Sequence, residues 1–66
     1  MEIKSTHKGQ SITTVVVTGA GTDFPANHER ATTFAMAAVG ETPERLMDWD
    51  TDEYEAGTVT VKMYKQ

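Results

Sequence analysis

The chain has 66 residues, a formal charge of −4 and no cysteine, with 38% hydrophobic and 24% charged residues. This is one small domain, residues 1–66, too short for a doubly wound nucleotide-binding fold, a TIM barrel or a two-domain enzyme. Without cysteine there is no disulfide framework and no thiolate-held zinc, so apolar packing must hold the fold.

The absence of cysteine points to a reducing, intracellular setting. The longest apolar run, Phe34 to Val39, is far too short to cross a bilayer, and Met1-Glu2-Ile3-Lys4 lacks the apolar core of a signal peptide. The expectation is a soluble cytoplasmic protein with no membrane partner.

Residues 2–7 and 11–18 are rich in β-branched side chains (Ile3, Thr6, Ile12, Thr13, Thr14, Val15 to Thr18), and Lys8-Gly9-Gln10 supplies turn chemistry between them. They read as a hairpin. After the loop Gly19-Ala20-Gly21-Thr22-Asp23, apolar residues recur helically at Ala31, Phe34, Ala35, Ala38 and Val39. The start of this helix has two candidate caps: Asp23 with Pro25 following, or Asn27 with Glu29 in the first turn. Gly40 stands where a left-handed stop belongs.

Thr42-Pro43-Glu44 has the residue order of an N-cap, a first-turn proline and a first-turn acid, which predicts a short second helix through about Trp49. Asp50 to Gly57 reads as a loop or ragged strand. Thr58 to Lys65 alternates, with Val59, Val61 and Met63 on one face and Thr58, Thr60, Lys62 and Tyr64 on the other, the period of a strand.

The resulting order, β-β-α-α-β, predicts an α+β fold: a three-stranded antiparallel sheet with two helices on one face, the last strand beside the first. The expected core is Ile3, Val15, Val17, Phe34, Ala35, Ala38, Leu46, Val59, Val61 and Met63, with Trp49 at its rim. So thin a core barely offsets chain entropy, which makes pairing of a sheet edge with a partner credible.

Four features suggest chemistry and fail on inspection. Thr14-Val15-Val16-Val17-Thr18-Gly19-Ala20-Gly21 looks like the first strand and glycine turn of a short-chain dehydrogenase, but Asp23 and Pro25 occupy positions where that family carries further glycines, and no room remains for the other parallel strands. Asp48-Trp49-Asp50-Thr51-Asp52 copies the opening of an EF-hand loop, yet Glu53 replaces the turn glycine and Val59 the closing bidentate glutamate. His7 and His28 have no metal-ligand spacing. Ser5 or Ser11 has no nucleophile-elbow context for a hydrolase triad. The reading is non-enzymatic, with no cofactor and no metal.

Charge is the informative feature. Between Glu41 and Glu55 stand seven acids (Glu41, Glu44, Asp48, Asp50, Asp52, Glu53 and Glu55) against one base, Arg45, whereas the rest of the chain is net positive. If extended, Asp48, Asp50 and Asp52 project on one side about 6.6 Å apart, half the linear density of phosphates on one DNA strand, which is one per about 3.4 Å. Trp49 and Tyr54 sit among the acids as flat anchors of the kind enriched in interface hot spots. An acidic stretch is also an ordinary solvated face, and helix-start acids are ordinary capping. Direct nucleic-acid binding is disfavoured, because the six bases are scattered.

In length, acidity and element order the chain resembles, as a class, small phage-encoded inhibitors that mimic DNA, among them anti-CRISPR proteins. The resemblance implies a stoichiometric inhibitor in a bacterial host's cytoplasm, lodged in the basic groove of a nucleic-acid-binding complex. The partner-binding residues would be Glu41, Glu44, Asp48, Trp49, Asp50, Asp52, Glu53, Tyr54 and Glu55. The alternative is a small structural or assembly module that docks through a sheet edge or an apolar helix face.

Overall fold

A computed structural model describes residues 1–66. The first hairpin forms as its residues dictate, with β1 (Glu2–Lys8) antiparallel to β2 (Ile12–Thr18). The helix α1 spans Ala26–Val39. Neither candidate N-cap closes its first turn by a side chain; Pro25 occupies the cap position, and the Asp23 main-chain carbonyl accepts from Asn27 N–H. At the other end Gly40 adopts φ +71, and its N–H and that of Glu41 donate to the carbonyls of Ala37 and Met36, a Schellman closure.

The chain beyond Gly40 departs from expectation. The predicted second helix is a single 3-10 turn, Pro43–Arg45, after which the backbone extends at Leu46 into a strand, β3 (Leu46–Glu55). A turn Ala56-Gly57, with Gly57 at φ +79, returns the chain into β4 (Thr58–Lys65). The fold is thus α+β with a four-stranded antiparallel sheet and one helix, which corrects both the strand count and the helix count. The physical reason lies in alternation: Asp48, Asp50 and Asp52 fall on one face and Trp49 and Thr51 on the other. Aspartate is scarce in strands, so the residue type hides the period.

The sheet order is β1-β2-β4-β3. The last strand therefore lies between β2 and β3, not beside the first. Val59, Val61 and Met63 of β4 face Val17, Val15 and Thr13 of β2, and the five apolar members of the β2–β4 centre are joined by Ala31, Ala35 and Met36 from α1 and by Ala20 and Leu46. Small alanines let the helix sit close on the sheet. Ile3 of β1 is only partly buried; in α1 Phe34 is partly buried and Ala38 exposed, so the helix is rotated from the face the sequence pattern suggests. The opposite face of the sheet has no covering layer.

Candidate functional site

The acidic segment is β3, an edge strand. Residues directly opposite one another in a sheet share a face, and Asp48, Asp50 and Asp52 lie opposite Tyr64, Lys62 and Thr60 of β4. Met63, Val61 and Val59 point into the core, so these three aspartates project from the uncovered face. They form a row along the molecule's rim.

Their surroundings differ in detail. Asp48 Oδ1 accepts the backbone N–H of Trp49 at 2.8 Å, and Asp50 Oδ2 accepts the Tyr64 hydroxyl at 3.0 Å. That hydrogen bond, burial and the negative field of Asp50, Asp48 and Asp52 together hold the Tyr64 hydroxyl above the ordinary phenol range. One phenol thus registers all three carboxylates. No lysine or arginine side-chain nitrogen lies within 4.0 Å of their carboxylate oxygens, although Lys62 stands opposite Asp50.

The remaining candidates do not join the row. A register shift at Met47 starts the strand, and a second between Asp52 and Glu55 sets Glu53 and Tyr54 opposite one residue of β4. Glu53 turns toward the helix. Its Oε2 accepts Gly57 N–H at 2.8 Å, while Oε1 accepts Asn27 Nδ2 at 3.0 Å and meets His28 Nε2 at 3.1 Å. The Gly57 and His28 bonds depress its carboxyl below the usual range, outweighing burial, with Asn27 adding to them. Tyr54 is 81% exposed and Glu55 exposed. Trp49, 38% exposed, points to the helix side of the strand, opposite Met63. Glu41 pairs with Arg45 at 3.7 Å and Glu44 sits apart in the 3-10 turn.

The polar cluster around Asn27 and His28 is not among the expectations from the sequence, which give Asn27 only a capping role. Asn27 is wholly buried, its Nδ2 also donating to Gly21 O at 3.0 Å, and its Oδ1 accepts His28 N–H. His28 Nδ1 lies 2.8 Å from Thr51 Oγ1. The chain Thr51–His28–Glu53 has the members of a hydrolase triad, but such triads place the nucleophile on Nε2 and the carboxylate on Nδ1. Here the two are exchanged. The cluster clamps the N-terminal turn of α1 to the β3–β4 hairpin, and the only sequence signal for it is a His and a Glu placed where neither is an obvious surface residue once β3 is recognised as a strand.

No group of three or more His, Asp or Glu side chains is arranged to hold a metal ion, so the aspartate row does not form an EF-hand-like cage. No helix is long and apolar enough to cross a membrane. No protein-family model matches the chain, and no curated protein or solved structure matches it either.

Proposed function

We propose that the protein is a non-catalytic binding module that sets a row of carboxylates against a cationic, nucleic-acid-binding surface of a protein partner, as DNA-mimic inhibitors do. The observation that supports this reading is the row Asp48, Asp50 and Asp52 on the uncovered face of β3, lacking a cation of the protein's own within ion-pairing distance. Carboxylates left unpaired in the free protein retain their charge for a partner, where charge-assisted bonds to Lys or Arg are the stronger kind. The same field steers the encounter and speeds association. The binding surface is narrower than the sequence suggests: Glu53 and Glu41 are engaged within the molecule.

The test compares the wild type with the Asp48→Asn, Asp50→Asn, Asp52→Asn triple variant as immobilised bait in bacterial lysate. The expected result is a nucleic-acid-binding protein retained at low salt by the wild type only, which then loses its nucleic acid at a one-to-one ratio when the free protein is added. Equal capture by both baits, or retention indifferent to salt, would sink the reading.

A further inference from the structure

The uncovered face is one of two unused surfaces on β3; the other is its free edge. Lys65 N–H donates across to Ser11 O at 2.9 Å, so at Lys65 the backbone of β4 turns toward β2. Backbone direction alternates along a strand, so Tyr64, Lys62 and Thr60 turn theirs toward β3. Their opposites Asp48, Asp50 and Asp52 bond back to β4, and Trp49 and Thr51 present N–H and C=O outward. The Trp49 N–H is taken by Asp48 Oδ1; Thr51 offers both groups.

Beside this edge, on the helix side, lies a recess of about 510 Å³ walled mainly by polar residues, among them His28, Glu29, Thr32 and Thr51, with Met36 and Trp49 as its apolar part. A fifth strand added here would meet two different environments in alternation. Side chains opposite Asp48, Asp50 and Asp52 would share their acidic face; those opposite Trp49 and Thr51 would enter the recess, where Trp49 and Met36 are the apolar contacts.

A second copy is a poor occupant. Antiparallel self-pairing centred on Asp50 sets Asp48 against Asp52, Asp50 against Asp50 and Asp52 against Asp48, three like-charge pairs on one face. The molecule's own β1 brings Glu2, Ser5 and His7 to that face and is interrupted by a register shift between Ile3 and Ser5. Charge and face together select a foreign strand.

We infer that the free edge of β3 accepts an extended segment of a partner protein in which Lys or Arg alternates with apolar residues, adding a fifth strand to the sheet. This rests on the reading of the preceding subsection and specifies how the partner is held: cations on the aspartates, main chain on Thr51, apolar side chains in the recess.

The test uses an acetylated, amidated octapeptide alternating Lys and Val, with a Glu-Val octapeptide as control. The chain is short enough for chemical synthesis with N-methyl-threonine at position 51, which removes the outward N–H and leaves the side chain and the β4 ladder intact. The expected result is that the Lys-Val peptide slows exchange of the Thr51 amide and that N-methylation and the triple Asn substitution each weaken binding about tenfold, the size of one good hydrogen bond or ion pair. The Glu-Val peptide should not bind.

Equal affinity of the N-methyl protein, or no binding of the Lys-Val peptide, overturns the inference; in the first case the carboxylate reading stands if the triple Asn variant is still weakened. Loss in the N-methyl protein with none in the triple Asn variant upholds the edge and removes the carboxylates from the proposed function. Self-association that N-methylation abolishes names a second copy as occupant and overturns the proposal.

Discussion

Glu53 shows how one carboxylate can be withdrawn from an acidic surface and spent on structure. It accepts from a backbone N–H, an amide and a histidine ring at once, and these bonds favour its ionised form in the fold. A carboxyl whose folded value lies below its ordinary 4.5 contributes stability that is complete above that value and is lost as pH falls through the depressed one. Asp23 is depressed likewise, by Arg30, but both members are largely exposed, so its share is screened. The expected outcome for Glu53→Gln is a lower urea midpoint at pH 7 and a shallower decline than the wild type between pH 5 and 3. Parallel curves for the two proteins would show that the clamp on the helix does not depend on the charge. A second residue-scale test is Gly40→Ala. Nothing lies within 4 Å of the added methyl, so the whole cost is that of holding φ +71 with a side chain, about 1 kcal/mol on the scale of left-handed residues, measurable by chemical denaturation.

At the scale of elements, β3 carries both the proposed function and the main surprise. Three carboxylates on alternate residues repel one another by a few tenths of a kcal/mol per pair, so the triple Asn variant should match or slightly exceed the wild type in stability while losing its partner. Calorimetry of both proteins checks the first half; a fall of several degrees in the variant's midpoint would mean that the aspartates serve the fold. The hairpin and β4 were legible because β-branched residues and alternation agree there, and the helix was legible from its period and from Gly40. β3 was not, because its two signals disagree: the spacing of Asp48, Trp49, Asp50, Thr51 and Asp52 is that of a strand, while the residue types are those of a loop. Thr42-Pro43-Glu44 added a helix-start signal that the chain honours for three residues only. The expected convergence of all seven acids failed for a related reason. A strand with register shifts at both ends sends Met47, Glu53 and Tyr54 out of the alternation, and nothing in their identities announces where a shift falls.

For the molecule as a whole, 12 of 66 residues are buried, and Met63 is the largest side chain with no exposure. It lies on the central strand β4 beneath the helix. Truncating a buried methionine to alanine costs about 2–5 kcal/mol, comparable to the total of about 3–5 kcal/mol that a core of this size supplies. Met63→Ala should therefore populate the unfolded state substantially at 25 °C, seen as a second set of resonances or a loss of near-ultraviolet dichroism. That marginality gives a direct reading of partner binding, since a ligand that binds only the folded chain stabilises it by about 2.7 kcal/mol at a concentration one hundred times its dissociation constant. The Lys-Val peptide, added to Met63→Ala at such a concentration, should restore the folded resonances, and the Glu-Val peptide should not. The rescue should be weakened when N-methyl-threonine occupies position 51 in the Met63→Ala chain, because a tenfold loss of affinity cuts the stabilisation at that concentration to about 1.4 kcal/mol. A peptide that binds the wild type but does not raise the folded fraction of Met63→Ala at all would have to bind the unfolded chain equally well, a charge effect without a strand, and edge addition would be excluded.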